Sequence, residues 1–242
     1  MPDRTLTADG DDPFAMIVAG GGPTDVSQIN LHNLYVACEH ATPRACRQEK
    51  ARFIAVLSEP LPSVTAASLR LIVRDVNYVH AANAVSGDDP AKVPVVESIG
   101  EDLYAMLASD SPTRTMLVSE IMLPSLHLSP AEAWSLARRQ TAAQLPTIPT
   151  ATQIKTGGVG LEGFDYTASV LLDCAAWAKL AQEVGPDLFM TVASDHFVLV
   201  GTMPDASLAS LRPSVAQDCA AQPRCISPHI YRFRDGQWVI AR

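Results

Sequence analysis

Positive charge is scarce in this chain: 18 Lys and Arg stand against 26 Asp and Glu, a formal net charge of -8. An acidic chain repels phosphate backbones and anionic headgroups, so nucleic acid and anionic membrane surfaces are poor partners. Long apolar runs are also lacking. The early stretch FAMIVAG (14–20) falls far short of the ~20 residues a membrane-spanning helix needs. The opening MPDRTLTADGDDP has no apolar core of the signal-peptide kind. Metal signatures are missing as well. His32, His40, His80, His127, His196 and His229 form neither H-E-x-x-H nor H-x-H, and no cysteine pair has C-x2-C or C-x4-C spacing. No G-x-S-x-G nucleophile elbow occurs. AGGGP (19–23) lacks the Lys-Ser/Thr of a phosphate loop and reads as a connector. GVGLEG (158–163) is a literal G-x-G-x-x-G, but a polar, alternating stretch precedes it where a dinucleotide site needs a buried strand. It reads as a hairpin corner, and no cofactor is expected.

What remains is an ordinary globular composition: 242 residues, 48% of them hydrophobic. A chain of this length buries roughly 70–75% of its extended surface on folding. Five cysteines carry more information. Cys38 and Cys46 bracket a proline-containing turn in CEHATPRAC, and Cys219 and Cys225 do the same in CAAQPRC. Cys174 sits alone in an apolar helical run. Two short-range disulfides and one lone thiol point to a periplasmic or secreted protein. Five reduced cysteines in a cytoplasmic protein is the competing reading, since cysteine is often only a small buried hydrophobe.

Along the chain, residues 1–13 read as a disordered tail and 14–242 as a single domain, with two lobes (about 14–150 and 151–242) left open. Residues 29–40 and 44–57 read as a helical hairpin whose second helix opens at Pro43. SVTAASLRLIVRDVNYV (63–79) mixes helical and strand signals, and 83–92 reads as a loop. Residues 102–119 form a β-hairpin pattern. A helix over 128–145 is announced by Ser129, Pro130 and Glu132, a capping box. Residues 151–166 read as a short hairpin around Gly157–Gly158, and 167–185 as one long helix ending at Gly185. Two strands flank Asp195–His196. A helix over 205–221 contains Pro213, and a closing hairpin turns at Asp235–Gly236.

DLFMTVASDH (187–196) sets Ser194, Asp195 and His196 side by side, the side chains of a hydrolase triad. Neighbours on a strand point to opposite faces, and triads are assembled from residues distant in sequence. DLYAMLASD (102–110) repeats the pattern with Ser111 in place of the histidine. Ser-Asp therefore reads as a turn-maker at a strand end. The echo predicts an internal duplication of a strand–turn–strand–helix unit.

Six stretches share an order with a known family: NLYVACEH, LRLIVRDVNYV, DLYAMLASD leading into LHLSPAEAWSLARRQ, DYTASVLLD, VASDHFVLVG and SPHIYRFRDGQWV. Over most of residues 30–240 the chain resembles the YtpQ-like family, a bacterial domain of unknown function. In that family an acidic residue, an aromatic and small residues open a helix before the second central hairpin. Asp165, Tyr166, Ala168 and Ser169 match this pattern. The resemblance implies a fold and no reaction. The paired cysteines depart from cytosolic members and indicate an exported branch.

The expected fold is α+β, antiparallel hairpins with helices packed on one face. The expected function is a non-enzymatic binding or interaction module of an exported bacterial protein. Its partner is an unidentified protein or small molecule, with no nucleic acid and no membrane span. The alternative is a hydrolase-like enzyme in which Asp195, His196 and His229 converge with Asp165 or Tyr166 in a cleft.

Overall fold

A computed structural model describes residues 4–8, 15–20, 26–39, 41–58, 63–86, 90–111, 115–222 and 225–242. The chain divides into two compact units, Met1–Pro62 and Ser63–Arg242. The sequence suggests a single domain over 14–242 and leaves open two lobes divided near residue 150; the two compact units divide after Pro62.

The first unit holds an antiparallel meander of β1 (Arg4–Ala8), β2 (Ala15–Gly20) and β3 (Val26–Asn30). β1 occupies part of the expected tail. The rest of that tail, residues 21–23 of AGGGP, and His40 lie outside the described residues. The helical hairpin follows as α1 (His32–Glu39) and α2 (Pro43–Ser58). Pro43 opens α2, where its missing N–H leaves no bond unmade. Cys38 and Cys46 lie at disulfide distance across the corner, with Cα atoms 4.8 Å apart.

The second unit carries two sheets. The first runs β4 (Leu69–Asp75), β6 (Leu103–Asp110), β5 (Val96–Ser98), with β7 (Thr115–Leu117) also paired to β6. The second has β8 (Val159–Glu162), β9 (Leu188–Ser194), β10 (Phe197–Thr202), β11 (Ile230–Arg234) and β12 (Gln237–Ile240), in the order β12-β11-β9-β10-β8. Strand pairings in both sheets are antiparallel. A parallel bridge from Gly100 to Trp238 links the sheets. A Cβ at position 100 would lie 2.4 Å from the Trp238 carbonyl oxygen, so only glycine permits the approach. The fold is α+β, as the sequence predicts.

The ambiguous stretch 63–79 resolves in three steps. A Thr65–Ser68 capping box starts a 3-10 turn, the β-branched run forms β4, and α3 (Val76–Ser86) follows. The Asp75 carboxylate accepts from the Tyr78 amide at 3.0 Å and so caps α3. α3 thus takes up the start of the expected loop 83–92, of which residues 87–89 lie outside the described residues. α4 (Pro130–Ala142) begins at the predicted box. The Ser129 amide donates to Glu132 Oε2 at 2.9 Å, and Ser129 Oγ accepts from the Glu132 amide at 3.3 Å.

Two expected elements are corrected. ATQIKT is no hairpin arm but α5 (Ala151–Thr156), because Thr150 and Gln153 form a third capping box. The long helix 167–185 divides at Asp173 into a 3-10 turn, Thr167–Leu172, and α6 (Cys174–Val184), whose Ala176 amide donates to Asp173 Oδ1 at 3.1 Å. α7 (Asp205–Ala221) runs through Pro213. Asp235 and Gly236 take positive φ, 50° and 82°, as the turn between β11 and β12 requires.

Alternate residues of β4, β6, β9 and β11 point into one main core with Trp177, Leu180 and Trp238. In addition, α7 covers the opposite face of β9 and β11 through Leu208 and Val215 on Phe189 and Ile230. Val79 of α3 packs likewise on Ile72, Met106 and Ala108. The duplication is not confirmed. β6 and β9 are both central strands beginning at the leucine of the echo. However, a 3-10 segment, Glu120–Leu126, precedes α4 in the first copy, whereas β10 leads almost directly into α7 in the second.

Candidate functional site

The segment Thr167–Leu172 is wholly buried. Its small and apolar residues allow that depth, and each backbone polar group taken inside must then find a partner. Three carbonyls are met by side chains. The Val170 oxygen accepts from Trp177 Nε1 at 2.8 Å, Leu171 from Trp238 Nε1 at 3.2 Å and Leu172 from Arg138 Nη1 at 3.0 Å. The free edge of β4 is closed by hydroxyls. Ser169 Oγ donates to the Leu71 carbonyl, and the Leu71 amide donates to Thr141 Oγ1, both at 2.8 Å.

Beside this segment lies a cavity of about 730 Å³. The C-terminal half of α4, residues 145–150, the start of α5, and α6 enclose it. Pro146 and Pro149 stiffen the connecting wall by fixing φ. Leu145, Ile148, Leu172 and Leu180 give it an apolar lining. Asp173, Ala176, Leu180 and Glu183 follow helical spacing, so one face of α6 supplies both lining and rim. Exposed Arg138, Arg139, Lys179, Asp173 and Glu183 complete the rim. The volume falls in the range of ~300–1,000 Å³ typical of ligand pockets. In the sequence, Arg138–Arg139 is only a small basic spot on a helix, and Pro146 and Pro149 only end that helix. The available signal was a proline-bearing run between two helices with well-defined starts.

The residues singled out from the sequence take separate places. Asp195 Oδ1 accepts from Arg74 Nη1 at 2.5 Å, and Arg74 is almost fully buried, its guanidinium 5.3 Å from the Tyr78 ring centre. Ser194 behaves as a turn-maker, its Oγ accepting from the His196 amide at 3.4 Å. The Asp195 carboxylate does not cap the turn but reaches across to another strand. Asp110, its counterpart in the echo, likewise accepts from the Tyr166 hydroxyl. His196 is exposed in the turn and Asp165 is exposed beside Tyr166. His229 Nε2 approaches Asp102 Oδ2 at 3.9 Å and stands edge-on to Tyr231. The Tyr231 hydroxyl donates to Asp102 at 2.8 Å and lies 2.5 Å from Ser227 Oγ. Among the described residues, no hydrogen bond joins His196 to Asp165 or His229.

Burial, reinforced by Asp110, pushes the Tyr166 phenol up to about 12. Burial raises Tyr231 further still. A raised folded-state value means the stabilisation is complete below the unfolded value near ~10 and is lost as pH rises through the folded one. Phenolate absorbance on alkaline titration should therefore show two of the five tyrosines ionising late, and Tyr166→Phe should remove the step near pH 12. An unchanged curve in that variant contradicts the assignment.

Cys219 and Cys225 lie at disulfide distance beside the end of α7, Cα atoms 5.0 Å apart, and Cys174 is the one free cysteine. Thiol titration of denatured, unreduced protein should count one reactive group. Five would contradict both bridges. Among the described residues, no cluster of three or more His, Cys, Asp or Glu side chains forms a metal-binding group, and no helix is long and apolar enough to cross a membrane. Comparison of the chain with protein-family models, curated proteins and solved structures finds no match.

Proposed function

We propose that Ser63–Arg242 is a non-enzymatic binding domain of an exported bacterial protein of the YtpQ-like kind, with the cavity between α4 and α6 as its site. The cavity itself carries the reading: it has ligand-sized volume, apolar walls and a charged rim. Its walls are held from behind by the hydrogen bonds of Thr167–Leu172, which pre-organises the lining and reduces the entropy lost on binding. The two cysteine pairs at disulfide distance agree with an oxidising compartment. A hydrolase-like centre on Asp195, His196 and His229 has less support, because Asp195 is committed to Arg74.

Native mass spectrometry of gently purified protein tests this. Wild type should carry or take up a small apolar ligand. Ala142→Trp, which places an indole on an exposed part of the lining, should lose it while the far-ultraviolet circular dichroism stays unchanged. Equal ligand occupancy in both proteins would contradict the assignment.

A further inference from the structure

Resting on that reading, we infer that the cavity selects amphipathic carboxylates, with the apolar body along Leu145, Ile148 and Leu180 and the carboxylate at the Arg138–Lys179 side of the rim. The chain as a whole is acidic, at -8, yet three cationic side chains gather at this mouth. The rim also holds two carboxylates, Asp173 and Glu183. Asp173 caps the first turn of α6, and Lys155 Nζ sits against the Glu183 carbonyl at 3.1 Å, adding a fourth cation beside Glu183. Arg138, Arg139, Lys179 and the neighbouring Lys155 thus stand against Asp173 and Glu183, which leaves the mouth locally positive on an acidic chain.

Arg138 is the best placed of these. One of its terminal nitrogens is tied to the Leu172 carbonyl, which fixes the planar guanidinium at the edge of the lining. A guanidinium carries five N–H donors, so one bond leaves a fork able to meet a carboxylate. The chemistry requires one negative head on an apolar body. A cationic head would meet like charge, and a neutral head would gain only the apolar contact.

Isothermal titration calorimetry with decanoate, decyl glucoside and decyltrimethylammonium, each below micelle formation, separates these cases. Decanoate should bind about tenfold or more tightly than the cationic analogue, as expected for a charge-assisted hydrogen bond. Its affinity should fall with added salt. Arg138→Gln combined with Lys179→Gln should weaken decanoate about tenfold and leave decyl glucoside unchanged. Ala142→Trp should remove binding of all three. Equal affinity for the anionic and cationic probes, both lost in Ala142→Trp, overturns carboxylate selection and leaves the cavity as a binding site. Absence of binding by every probe, or binding indifferent to Ala142→Trp, overturns both.

Discussion

Arg74→Met should destabilise the protein by about 3 kcal/mol, with the midpoint of urea unfolding falling accordingly. Arg74 keeps only 3% of its side chain in contact with solvent and Asp195 16%. Removing the guanidinium leaves the carboxylate largely desolvated against a thioether, so the penalty reflects an uncompensated charge. Replacing both partners distinguishes that cost from the worth of the pair. The double variant Arg74→Met with Asp195→Asn should recover much of the loss, because a buried ion pair contributes little once its desolvation is counted. His196→Ala, beside Asp195 but exposed, should change stability by no more than about 0.5 kcal/mol. A loss below about 1 kcal/mol for Arg74→Met would mean that water reaches the pair.

The second large effect is at Trp238. This side chain is fully buried, packs edge-on against Trp177 at 5.2 Å and Phe233 at 4.9 Å, and donates its indole N–H to Leu171. Trp238→Ala opens a cavity among these rings and orphans the Leu171 carbonyl, at a cost of about 4 kcal/mol. Trp238→Phe keeps most of the packing but not the bond, and should cost about 1–2 kcal/mol. Thermal or urea unfolding measures both. The same substitution has a functional consequence. Leu171 belongs to the buried segment that backs the cavity, so on the proposed function Trp238→Ala should also weaken decanoate binding without touching the lining. A Trp238→Phe variant as unstable as Trp238→Ala would show that the hydrogen bond, rather than the aromatic packing, dominates.

The legible parts of the fold are those where local chemistry and tertiary context agree. The capping box at Ser129–Glu132, the turn at Asp235–Gly236 and the strands on either side of Asp195–His196 all appear as expected. So do both cysteine pairs, since a short proline-containing turn can bring its two ends within bonding range. Thr167–Leu172 is not legible in the sequence, for a physical reason. Its sequence suits a helix, but the partners that hold it as a 3-10 turn come from α4, α6 and β12, and local periodicity contains none of them. The α5 helix is legible in principle, since Thr150 and Gln153 have the spacing of a capping box, but the glycines at 157 and 158 carry a competing hairpin signal.

The site was less legible than the fold. Ser194, Asp195 and His196 attract notice because they are adjacent, whereas Arg138, Leu145, Ile148 and Leu180 come from elements that meet only after folding. Asp195 needed one further fact, the long-range Arg74 contact, to change from a candidate acid into half of a buried ion pair. Sequence alone can identify a strand-end aspartate. The residue that reaches it from another sheet is set by topology.

The most direct test of the cavity as the binding site is a methyl NMR titration of labelled protein with decanoate. Saturable shifts should concentrate on the methyl groups of Leu145, Ile148, Leu172 and Leu180, while the imidazole signals of His196 and His229 stay in place. Shifts centred on His196 and His229, or an unchanged methyl spectrum, would contradict it.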